Sequence, residues 1–163
     1  MKKGLSALTV IIAAVFLLSG CTAGSGALRE HSFDQGLSVS LPGGFRQQSR
    51  EGSDILMAGP DGVLFMAVRD TLESLGDRGY DTDSITLEDY FGLVQDANGI
   101  TKEETEGTEA VFVRHSGQTD YTYFLTVRQG TDAFWTIWFI SPANAEEDPV
   151  ASFREWAGTI SVD

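Results

Sequence analysis

Residues Phe134-Trp135-Thr136-Ile137-Trp138-Phe139-Ile140 form an apolar run broken by a single hydroxyl. Successive side chains of a strand point to opposite faces. A run of this length and character therefore reads as a strand apolar on both faces, which needs cover above and below. Val63-Leu64-Phe65-Met66-Ala67-Val68 has the same character. Two such strands exclude a sheet with one wet face. The fold class they predict is α+β: an antiparallel β-sheet with helices packed on both faces, a three-layer α/β/α sandwich.

The remaining elements fit around these strands. Leu37-Ser38-Val39-Ser40-Leu41 alternates and stops at Pro42-Gly43-Gly44, as a half-buried strand ended by a turn does. Residues 54–58 and 63–69 form a hairpin through Gly59-Pro60-Asp61-Gly62, where Pro and Asp-Gly favour reversal. Residues 70–84 are polar and irregular, with one helical turn at 71–75. Thr86 then caps a helix, Asp89 completes the capping box, and Ile85 can staple against Tyr90. Leu87, Tyr90, Phe91 and Val94 make its apolar stripe, and Asn98-Gly99 its left-handed stop. Strands at 109–115, 120–128 and 133–140 are separated by short polar turns and so pair antiparallel. A last helix has Asp148 as cap and Pro149 at its first position. Val150, Phe153, Trp156 and Ala157 share its apolar face, and Gly158 ends it. Residues 159–162 can form a final short strand. These patterns leave the order of strand pairing open.

The first twenty residues are built like an export signal. Lys2 and Lys3 precede an apolar run over 5–18, and small Ser19 and Gly20 follow. The run is shorter than the roughly 20 apolar residues that span a bilayer. Leu18-Ser19-Gly20-Cys21 resembles a bacterial lipobox. The resemblance implies a lipoprotein cut just before Cys21, with Cys21 lipidated and two acyl chains holding it in the membrane. Each buried methylene would add about 0.8 kcal/mol to that anchoring. The expected domains are a signal peptide at 1–20, a flexible tether with the lipidated cysteine at 21–30, and one globular domain at 31–163. The expected location is the extracytoplasmic face of the cell membrane. Within the tether, Gly24-Ser25-Gly26 has no strand before it and no helix after it, so it is no nucleotide-binding loop.

Charge narrows the partners. Loss of Lys2 and Lys3 leaves nine Lys and Arg against 24 Asp and Glu, and moves the formal charge from −13 to −15. Such a surface repels nucleic acid and anionic headgroups. Cys21 is the sole cysteine, so the folded part is held by its core without an internal disulfide. Residues 31–163 suit one domain of self-sufficient core.

The element order resembles the PsbP-like and Mog-like superfamily. The likeness rests on Leu41-Pro42-Gly43-Gly44-Phe45 after the first strand, a hairpin, the Leu87-Glu88-Asp89-Tyr90 helix start and a three-strand meander. It closes on Phe153-Arg154-Glu155-Trp156-Ala157-Gly158-Thr159-Ile160. The resemblance implies a non-enzymatic domain that acts as an assembly factor, adaptor or binding module. No binding residue carries over from it.

Candidate chemistry is sparse. His31 and His115 are the only histidines, and His115 with Asp120 could serve as a base or ligand. Asp77, Asp81 and Asp83 share an irregular loop that could hold calcium, although without EF-hand spacing. Glu103, Glu104, Glu106 and Glu109 read as a solvated connection. Tyr121 and Tyr123 share a strand face with Trp135 one strand on, a possible partner surface set against the alternative that all three are core. No catalytic residue, metal ligand or cofactor is assigned. The expected function is a membrane-anchored, non-catalytic binding or adaptor module whose partner is another envelope protein. The alternatives are an envelope hydrolase or metal-dependent enzyme using the acidic loops, and a small-ligand or ion-binding lipoprotein.

Overall fold

The computed structural model describes residues 27–143 and 148–163. The expected signal peptide and Cys21 lie outside the described residues. In chain order the elements are β1 (Arg29–Phe33), β2 (Leu37–Leu41), β3 (Arg46–Gln48), β4 (Ile55–Ala58), β5 (Leu64–Thr71), α1 (Leu72–Asp77) and α2 (Leu87–Asn98). After them come β6 (Thr105–Glu106), β7 (Glu109–Ser116), β8 (Thr119–Gln129), β9 (Ala133–Pro142), α3 (Val150–Ala157) and β10 (Ser161–Val162). The architecture is mixed α+β with antiparallel sheets.

Seven strands form one sheet in the order β3-β4-β5-β9-β8-β7-β6. The two apolar runs are neighbours at its centre, paired from Leu64 opposite Ile140 to Thr71 opposite Ala133. Alternation divides β9 between two cores. Phe134, Trp138 and Ile140 join Tyr90, Phe91 and Val94 of α2 on one face. Trp135, Ile137 and Phe139 join Leu37, Val39 and Leu41 of β2 and Phe153 and Ala157 of α3 on the other.

The second face carries a feature absent from the expectation. Strand β2 does not enter the large sheet. It lies between β1 and β10 in a separate three-stranded sheet, which shares this face with α3. Strand β1 has no alternating apolar pattern to mark it: only His31 and Phe33 are even half-buried. Its place comes from the turn before β2, where Gly36 takes φ 87° and its N–H donates to the Phe33 carbonyl at 3.0 Å. A positive φ of this kind suits glycine.

The helix ends follow local chemistry. Thr86 Oγ1 accepts from the Asp89 N–H at 3.1 Å, and Asp89 Oδ2 accepts from the Thr86 N–H at 3.0 Å. Gly99 at φ 63° closes α2. Before α3, Asp148 Oδ1 accepts from the Val150 N–H at 3.0 Å, while Pro149 sits one place earlier than predicted, outside the helix. The 71–75 turn extends into α1, which Thr71 caps by accepting from the Ser74 N–H.

Candidate functional site

The structure does not bring Tyr121, Tyr123 and Trp135 together. Tyr123 pairs across the sheet with Ile140, and both lie on the α2 face. Its ring stacks on Phe112 at 5.3 Å and meets Trp138 edge-on at 6.3 Å. Tyr121 is half-buried against the same cluster. Trp135 is 1% exposed and belongs to the opposite core. Its neighbour across β5 is Arg69, whose guanidinium lies 6.0 Å from the indole. These rings serve the two cores, so the three do not make one surface.

His115 and Asp120 do meet. They face each other across the β7–β8 hairpin, with Nδ1 and Oδ1 2.8 Å apart. Both side chains are well over half exposed. Water around the pair screens its charge, and no wall of protein holds a substrate against it. His31 lies in β1 opposite Val39, far along the chain from that hairpin. Asp81 is used locally: Oδ1 accepts from the Asp83 N–H and Oδ2 from the Ser84 hydroxyl. Among the described residues no three His, Cys, Asp or Glu side chains gather as a metal ion would need.

Sequence reading missed a polar relay under α2. Tyr90 Oη lies 2.7 Å from Asp70 Oδ2 and 2.8 Å from Thr136 Oγ1. A carboxylate only accepts, so Tyr90 donates to Asp70 and the Thr136 hydroxyl donates to Tyr90. Arg78 pairs with the other oxygen of Asp70 and donates to the Ser74 carbonyl. Burial, followed by the charge of Asp70, pushes the Tyr90 hydroxyl far above its ordinary pKa. The relay ties α1, α2, β5 and β9 together, and its Tyr90 hydroxyl keeps its proton through any physiological pH. Tyr90 alternates correctly with the stripe of α2, yet nothing in its spacing marks it as a hydrogen-bonding residue.

A second charged contact ties the 3-10 turn at Lys102–Glu104 to β7. Arg114 Nη1 donates to Glu104 Oε1 at 2.7 Å, and its guanidinium lies 4.4 Å from the Phe112 ring. Hydrogen bonds from Arg114 and then from the Thr101 N–H lower the Glu104 carboxyl to about 2. A depressed carboxylate stabilises the fold above its unfolded pKa. That gain is lost as pH falls from 4.5 through about 2. The pair is partly exposed, so the gain stays under about 1 kcal/mol. Urea midpoints measured down this pH range should fall more shallowly for Glu104→Gln than for the parent chain. Parallel curves would show that the pair contributes nothing.

One open groove runs along α2. Its walls are the 80–85 segment, with Tyr80 and Ile85, and the helix face bearing Glu88, Gly92, Leu93 and Asp96; its volume is about 490 Å³. Among the described residues no helix is long and apolar enough to cross a membrane.

No protein-family profile and no curated protein matches this chain. Among solved structures the chain is similar to cyanobacterial PsbP (CyanoP) from Synechocystis, at 16% identity and a TM-score of 0.47, over 88% of this chain and 98% of that one. It is also similar to a protein from Bacteroides thetaiotaomicron, at 13% identity and a TM-score of 0.41, over 78% of this chain and 45% of that one.

Proposed function

We propose that the chain is a lipid-anchored, extracytoplasmic lipoprotein that acts as a non-catalytic binding or adaptor module of PsbP-like type. The observation that carries the reading is the ending Leu18-Ser19-Gly20-Cys21 after an apolar run too short to remain as a span. Cys21 holds the domain at the membrane face, and the small residues after it give it reach. The order of elements in the domain is the second support. A strand before the Pro42 turn, a hairpin, one long helix, a meander and a closing helix follow the pattern that the sequence resemblance rests on. We read the α2 side, the large sheet and the α3 side as the layers of such a domain.

The anchor is tested by Cys21→Ala. The parent chain should partition with membranes and take up labelled palmitate, whereas the variant should lose both properties. Mass spectrometry that finds an unmodified Cys21 thiol, or the leader still attached, would remove the anchor. The adaptor role is tested by cross-linking the anchored chain in intact cells and identifying the linked protein. Turnover of a substrate by the purified chain, with no protein linked to it, would replace the adaptor by an enzyme.

A further inference from the structure

The groove along α2 has three properties that belong together. Its floor is apolar: Tyr80 and Ile85 lean on the core, and Leu93 is half-buried. Its rim is acidic, with Asp81 on one wall and Glu88 and Asp96 on the other. The Glu88 and Asp96 carboxylates make no ion pair or hydrogen bond among the described residues. The third property is Gly92, in the middle of a twelve-residue helix. Glycine weakens a helix interior relative to alanine. Such a glycine often makes room for a neighbour, yet a Cβ built on Gly92 meets nothing within 4 Å. Nothing among the described residues uses the bare backbone that the glycine leaves.

We propose that this groove docks a basic segment of a partner protein, with an apolar side chain seated over Gly92. The segment's Lys or Arg heads would meet Glu88 and Asp96, and their stems would lie along Ile85 and Leu93. Charge selects this occupant. From Leu72 to Asn98 seven carboxylates face one cation, Arg78, which is already paired with Asp70. An acidic or lipid-headgroup partner would be repelled, whereas a cationic one is steered in. The proposal deepens the adaptor reading and rests on it for the claim that the occupant is a protein.

The test uses the purified full chain and a short Lys/Leu/Ala peptide, with a Glu/Leu/Ala peptide of equal length as control. Backbone amide shifts should move between residues 80 and 96 with the basic peptide alone. Gly92→Leu fills the open space, and Glu88→Lys with Asp96→Lys reverses the rim. Each should weaken binding by about tenfold or more. Gly92→Ala should meanwhile raise the melting temperature by about 2–4 °C, since helix propensity improves and nothing is struck. That rise separates blocked docking from failed folding.

Several outcomes would overturn the proposal: shifts elsewhere, equal binding of the acidic peptide, or full affinity in Gly92→Leu. Shifts at the same amides with calcium alone would assign the groove to a cation, and shifts that grow with protein concentration alone would assign it to a second copy. The cross-linked partner distinguishes the two levels of the argument. If Gly92→Leu still links the same protein, the groove proposal fails and the adaptor reading stands. If neither the parent chain nor any variant links a protein while the basic peptide still binds the groove, the adaptor reading falls, and with it the claim that the occupant is a protein, while the preference of the groove for a basic segment stands.

Discussion

Phe139→Ala is expected to cost about 3–5 kcal/mol of folding stability, as deletion of a fully buried aromatic ring does. Phe139 is 0% exposed and sits on the central strand. Its ring lies 5.3 Å from Phe65, 6.0 Å from Phe124, 5.5 Å from Phe153 and 5.9 Å from Trp156. These partners come from β5, β8 and α3, so truncation opens a void where three elements meet. Collapse of the void is limited, because Phe65 is also held by Phe33, and Phe124 and Trp156 by Phe153. A domain of ordinary stability has about 5–15 kcal/mol in all, so the loss would populate the unfolded chain at growth temperature. Urea denaturation should show a much lower midpoint with an unchanged slope. Phe33→Ala is the comparison, since that ring is only half-buried at the edge of the same core and should cost clearly less. A Phe139→Ala loss below that of Phe33→Ala would refute the central place given to β9.

Tyr90→Phe should have the next largest effect, about 1–3 kcal/mol, through groups it leaves behind. The change keeps the ring and its stacking on Phe134 at 4.7 Å. What it removes is the oxygen between Asp70 and Thr136. Thr136 is 5% exposed, so its hydroxyl would lose its partner away from water. Asp70 would keep Arg78, which limits the damage on that side. The double variant Tyr90→Phe with Thr136→Val should then recover part of the loss, because two apolar groups replace a broken pair. A thermodynamic cycle over the four chains measures this coupling. Additive losses would show that the two hydroxyls do not depend on each other.

The legible parts of the fold were those with a local cause. The Thr86 and Asp89 capping box, the Gly99 stop and the double-sided strands all follow from neighbouring residues. The small sheet was not legible. Strand β1 is held by its turn and by pairing with β2, and no apolar residue stands in Arg29-Glu30-His31-Ser32 to mark it. Tyr121 and Tyr123 part from Trp135 for a reason of register. The turn between β8 and β9 sets Arg128 opposite Trp135 and Tyr123 opposite Ile140. Odd residues of β8 therefore share a face with even residues of β9. Tyr121 and Tyr123 fall on one side and Trp135 on the other, a parity that turn length decides and composition does not. The groove was half legible: its carboxylates stood in the sequence, but the apolar floor and the vacant space above Gly92 needed the fold.

The pairing of β5 with β9 has a consequence for biogenesis. Strand β5 is synthesised well before the strand that completes it, because α1, α2, β7 and β8 are translated in between. Until β9 emerges, Phe65 and Met66 have no lasting cover on that flank, and a nascent chain would present a sticky ribbon. Holdase protection during synthesis is therefore required most between the appearance of these two segments, and a ribosome paused before Ala133 would leave β5 without its central partner.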